Sequence, residues 1–211
     1  IMRIGIVACE ILKREIEKIT AEDPEVVHRE YLRWGLHDYP DELRSSVIEK
    51  VNALKGEVDV VFLGYAICKS LDSIPKEIRV PFIMLREEDC IASMLGAAEY
   101  AKERAACPGT WFSSPGWAEL GMNAIVSDEQ MLGLEDQGYT KLYFAKLQFD
   151  GYSRCLAIDT GVGDFERYRA LTKEFADQLD LKCDSRQADL TAIKGAWRDL
   201  KEGIWRHPSE K

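Results

Sequence analysis

Cys9, Cys68 and Cys90 each stand at or just past the end of a short apolar run that reads as a buried strand. Thiolates are soft ligands for zinc, copper(I) and iron–sulfur clusters, and three of them leave one metal position open to substrate or water. No Cys-x-x-Cys spacing links the three, and a lone thiol most often packs as a small hydrophobe. Their company is polar all the same. Cys9 precedes Glu10, Cys68 is followed by Lys69 and Ser70, and Cys90 adjoins Asp89. Cys90 also opens a helical stretch, where the positive helix terminus lowers a thiol pKa. Cys155 and Cys183 read as core residues and Cys107 as a candidate fourth thiol. His37, in a loop beside Asp38, is a better base or ligand than His28, which falls inside a strand. His37 and Asp89 are the candidate catalytic groups.

The elements that would position these residues alternate. Ile4–Ala8 reads as a strand, and Leu12, Ile16 and Ile19 follow at helical spacing. Val26–Leu32 is a second strand. Pro40 opens a helix with Leu43, Val47, Val51 and Leu54 on one face. The unbroken apolar runs Val58–Leu63 and Val80–Leu85 suit strands covered on both faces, and a helix follows from Ile91. Residues 107–117, rich in Pro, Gly and Trp, read as a structured loop, with Trp111 and Trp117 as a pocket lid or as simple packing. Residues 118–136 read as helical, and Tyr139–Phe149 is ambiguous between helix and strand. Cys155–Ile158 is a strand whose turn, Asp159–Gly163, leads into a helix. A strand near Leu181–Asp184 and a helix from Ala188 to Ile204 complete the chain.

Such alternation predicts an α/β fold, a mostly parallel Rossmann-like sheet with flanking helices, the second half restating the strand, loop, helix pattern. The lobes are expected at 1–106, carrying the three cysteines, and at 107–211, unless the two form one continuous domain. Carboxyl ends of parallel strands gather ligands, so the three thiols are expected at one sheet edge. The amides of the 159–163 turn could hold an anion. That turn lacks the Walker A and Gly-x-Gly-x-x-Gly patterns, Glu166 standing at the third glycine's place.

Composition narrows the classes. The chain has 211 residues, 46% of them hydrophobic and 31% charged, as in ordinary globular proteins. A net charge of −9 with no basic cluster argues against nucleic acid or an anionic membrane as partner. No apolar run approaches the roughly 20 residues that span a bilayer. No secretory signal is read at the N-terminus, so the expected compartment is cytoplasmic, where six cysteines are more often free, metal-bound or redox-active than paired.

Several ordered motifs carry a family likeness: Ile4–Glu10, His28–Leu32, Gly35–Pro40, Gly64–Cys68, Asp89–Ile91, Pro108–Trp111, Pro115–Trp117 and Ile158–Gly161. Together they resemble the domain of unknown function 1638 family over nearly the whole chain. The resemblance maps the family's cysteine motifs onto Cys9, Cys68 and Cys90 and its histidine motif onto His28 and His37. Where the family's cysteine motif is usually bounded by glycine, Lys69 follows Cys68. The family is often associated with corrinoid-dependent methyltransferases of anaerobes. That context implies a [4Fe–4S] cluster on the three cysteines with one open iron, serving one-carbon or corrinoid methyl transfer. A zinc–thiolate methyl-transfer enzyme is the alternative metal reading. A non-catalytic module docking on a corrinoid protein or methyltransferase is the alternative of a different class. A small-molecule ligand fits the open metal site.

Overall fold

The computed structural model describes residues 1–67, 71–72 and 74–207. It divides into two compact units, Ile1–Ala97 with Leu190–Lys211, and Ala98–Asp189.

In the first unit, β1 (Ile4–Cys9), β2 (Val26–Leu32), β3 (Val60–Gly64) and β4 (Phe82–Met84) form a parallel sheet in the order β2-β1-β3-β4. Strand β3 is buried throughout, as its apolar run requires. Helix α1 (Lys13–Thr20) joins β1 to β2, and α2 (Pro40–Ala53) joins β2 to β3. Leu43, Val47 and Val51 of α2 pack with Val7, Val61 and Leu63 of the sheet. The helix after β4, α3 (Cys90–Leu95), packs with α9 (Thr191–Lys201). Ile193, Trp197 and Leu200 of α9 are buried, and the Trp197 ring meets Phe62 edge-on at 5.5 Å. Phe82 and Arg206 exchange backbone hydrogen bonds of 2.9 and 2.8 Å, which pair the outer side of β4 with the returning chain.

Gly64 allows the closest packing in this unit. A Cβ placed there would lie 2.5 Å from both Ala8 Cβ and Ile16 Cδ1, so α1 rests directly on the end of β3.

The second unit contains α4 (Ala97–Ala106) from its second residue onward. It has a three-stranded parallel sheet in the order β5-β6-β7: β5 (Thr110–Ser113), β6 (Arg154–Asp159) and β7 (Lys182–Gln187). Between β5 and β6 come α5 (Pro115–Leu120), α6 (Asp128–Met131) and α7 (Lys141–Gln148), and α8 (Phe165–Gln178) joins β6 to β7. Ala145, Phe149, Cys155 and Phe175 form its core, with Trp111 packed against them. The mixed α/β, parallel, Rossmann-like architecture read from the alternation is therefore present, twice.

Several boundaries differ from the sequence reading. The break lies at Ala97/Ala98 instead of 106/107, and the C-terminal segment belongs with the first unit, because the apolar stripe of α9 is buried there. Residues 107–117 are not all loop, since Thr110–Ser113 is a strand. Its four residues, framed by Pro108-Gly109 and Pro115-Gly116, are too few to show a period. Residues 118–136 form short helical pieces. Tyr139–Phe149 resolves into helix α7, capped by Thr140, whose hydroxyl accepts from Tyr143 N at 3.1 Å. No helix among the described residues is long and apolar enough to cross a membrane.

Candidate functional site

The order β2-β1-β3-β4 reverses direction at β1: the chain steps one way to β2, then returns past β1 to β3. Two crossover loops therefore diverge between β1 and β3, and in open parallel sheets this is where a crevice forms at the carboxyl ends. Cys9 is the last residue of β1, aligned with Leu32, and Ala8 is aligned with Gly64 at the end of β3. Cys9 thus sits at the reversal. Its side chain is partly buried, against the cluster that contains Tyr65 and Leu32.

Hydrogen bonds tie the loops of this edge in pairs. Glu10 Oε1 accepts from Trp34 N at 2.7 Å, fastening the exit of β1 to the turn after β2. That turn, Trp34–Asp38, carries His37, whose Nε2 lies 3.1 Å from Asp38 Oδ1 and whose ring stands edge-on to Trp34 at 6.0 Å. On the other side, Ile67 N donates to Glu87 O at 2.9 Å, joining the loop after β3 to the loop after β4. Leu71 N donates to Ile67 O at 3.2 Å.

Cys68 lies in that interval and outside the described residues, so the three-thiol constellation is not described as a whole. Cys90 opens α3 and is partly buried. Asp89 caps α3: its Oδ1 accepts from Ala92 N at 2.8 Å, and its carbonyl accepts from Ser93 Oγ at 3.0 Å. Its carboxylate therefore has a structural task at the position proposed for catalysis. His28 lies in β2, 3.6 Å from Glu30 Oε2, as a strand residue should. Among the described residues no three His, Cys, Asp or Glu side chains come together to hold a metal.

Glu15 was missed in the sequence. It is fully buried on α1, on the same stripe as Ile11, Leu12 and Ile16. The signal was a charge four residues from Ile11 and four from Ile19, on a face otherwise apolar. Because Ile16 packs on Gly64, Glu15 belongs to the helical turn level with the end of β3.

The second unit's strand-to-helix turn does not hold an open anion site. Asp159 Oδ1 accepts from Gly161 N at 2.8 Å, and Asp164 Oδ1 accepts from Glu166 N at 3.1 Å and Arg167 N at 3.4 Å. The chain's own carboxylates occupy these amides, and Glu166 adds a further negative charge. Trp111 and Trp117 are packing residues, 5.7 Å apart, with Trp111 also against Phe149 and Phe175. Cys107 precedes β5, and its Sγ lies 3.2 Å from Ser153 Oγ. Hydrogen bonds from Ser153 and Thr110 and the charge of Arg154 lower its pKa. Burial pushes the Cys155 thiol up to about 12, with Cys183 adding to the rise.

No curated protein matches the chain. Among solved structures, the glutamate racemase isoform RacE1 from Bacillus anthracis is similar at 16% identity and a TM-score of 0.40, over 98% of this chain and 85% of that one. A family profile described as a protein of unknown function, DUF1638, matches residues 31–197, so the chain belongs to the DUF1638 family.

Proposed function

We propose that the carboxyl edge of the first sheet is a thiolate site, with Cys9, Cys68 and Cys90 as its ligands. Most directly these would hold a [4Fe–4S] cluster with one open iron, and zinc is the alternative metal. The observation that carries the reading is the bond from Ile67 N to Glu87 O. It fastens the residue before Cys68 to the loop that ends at Cys90, beside the reversal point occupied by Cys9. The donor set suits a soft metal because thiolates are soft ligands, and Cys9 and Cys90 are partly buried at the end of β1 and the start of α3. A metal bound there would supply a Lewis-acid or redox centre to a small ligand. The chain's own residues would position that ligand: Glu10 and Trp34 hold the turn of His37, and Asp89 fixes the first turn of α3 behind Cys90. The role we propose is in one-carbon or corrinoid-dependent methyl transfer, following the family likeness.

A docking role for the same chain is favoured by a separate observation. Tyr139, Tyr143 and Leu147, four residues apart, are exposed large apolar side chains, and Leu132 is 81% exposed nearby in sequence. In that reading the stripe would meet a corrinoid protein or methyltransferase.

Anaerobic purification followed by measurement of iron, zinc, cobalt and acid-labile sulfide, with an absorption spectrum, separates the two. Cys9→Ala, Cys68→Ala and Cys90→Ala should each abolish metal binding, and Cys155→Ala should not. Absence of metal even after anaerobic reconstitution with iron and sulfide, or with zinc, would sink the thiolate reading.

A further inference from the structure

Cys155 and Cys183 are direct register partners on the adjacent parallel strands β6 and β7. Register partners project to the same face of a sheet, and both thiols belong to the apolar cluster around Phe175, Ala176 and Leu179. Neighbouring strands lie about 4.7–4.9 Å apart. A disulfide needs Cα atoms about 4.4–6.8 Å apart with Cβ vectors that do not diverge. Strand spacing meets the Cα condition and the shared face keeps the Cβ vectors from diverging; a bridge also needs Cβ atoms about 3.5–4.5 Å apart, so closing it draws the edge strand β7 slightly toward β6.

The two thiols differ in access. Cys155 is fully buried on the central strand, whereas Cys183 is partly exposed on the edge strand. Cys183 also lines a polar cavity of about 1060 Å³, with Arg169, Lys173, Asp177 and Arg186 on its walls. Here one thiol faces a cavity large enough for a small thiol compound, and its partner waits beneath it.

We propose that Cys155 and Cys183 form a dithiol that a low-molecular-weight disulfide oxidises to an internal disulfide, with Cys183 as the entry thiol and Cys155 as the resolving thiol. The Cys183 thiolate attacks one sulfur of the small disulfide, whose S–S bond breaks, and one small thiolate leaves and takes up a proton. Cys155 then loses its proton and attacks Cys183 Sγ, releasing the second small thiol. Two electrons pass from the cysteine pair to the small disulfide, which ends as two thiols. The product is neutral and apolar, which suits a cluster that opposes a buried thiolate. Burial raises the pKa of Cys183, so the first step accelerates as pH rises through neutrality.

The test incubates the reduced full-length protein with oxidised glutathione, alkylates the remaining thiols and maps the peptides by mass. Cys155 and Cys183 are expected joined to each other. Cys155→Ala, which keeps the site apolar, should instead retain glutathione on Cys183, and Cys183→Ser should lose the linked peptide and leave residue 155 unmodified. Cys107, whose pKa is lowered, serves as the internal control for active reagent. If wild-type Cys183 keeps its glutathione, or stays reduced while Cys107 is modified, the pairing is wrong. The wild-type map does not depend on any variant folding.

Discussion

The four-stranded and three-stranded units use the same strand, loop, helix grammar and differ in one topological fact. The first sheet reverses at β1, whereas β5-β6-β7 runs in one direction. In open parallel sheets such a reversal sends the loops of adjacent strand ends in opposite directions. Without it, the three-stranded unit satisfies its own turn through Asp159 and Asp164 and puts its charges elsewhere. Glu103 and Arg154, each with only 14% of its side chain exposed, bond at 2.8 Å. Arg186 bridges Glu103 and Glu99. Arg154 Nε also donates to Thr110 Oγ1 at 3.0 Å, so this network stitches β5, β6 and β7 to α4. One unit has the strand reversal on which the proposed site rests; the other commits its buried charges to cohesion.

The largest effect should come from the returning helix. Trp197→Ala removes the ring packed on Phe62 and should cost about 3–5 kcal/mol. The loss should be concentrated in the four-stranded unit, read as faster amide exchange in β1, β3 and β4. Exchange increasing equally in β5–β7 would break the division into units.

Glu103→Gln should cost about 1.5–3 kcal/mol, since two arginines lose a charged acceptor. Burial opposes the charge of Glu103, but hydrogen bonds and charge from Arg186 and Arg154 outweigh it and lower its pKa. A lowered folded pKa gives stability that is full above the unfolded value, near 4.5, and lost as pH falls through the folded one. Acid unfolding of the three-stranded unit should therefore flatten in the variant below about pH 4.5. An unchanged acid limb would show that the network contributes nothing to it.

Asp164→Ala should have the smallest effect, about 1 kcal/mol in urea unfolding, as expected for a lost helix cap. It also sharpens the comparison. Removing the carboxylate frees the Glu166 and Arg167 amides, so a gain of phosphate binding would show that the second unit lacks an anion site only because Asp164 fills it.

Much of the fold was legible locally. The runs Ile4–Cys9 and Val60–Gly64 are apolar on both faces, and the helix around Phe175 carries a clean stripe, so period and composition identified them. Thr110–Ser113 was not legible, because a four-residue strand between Pro-Gly pairs looks like a turn and becomes a strand only through pairing with β6. Glu15 interrupts an apolar stripe, a signal the sequence contained but that went unread, and its complete burial is set only by the packed fold.

The sequence by itself determined the element types, the parallel α/β class and the placement of Cys9 and Cys90 at element ends, because these follow from side-chain periodicity and local capping. Only the tertiary structure decided that α9 returns to the first unit, that β1 is the reversal strand, and that Cys155 and Cys183 are register partners. Those are relations between residues tens to hundreds of positions apart, set by which apolar faces must be covered and by how strands pair, and no local pattern encodes them.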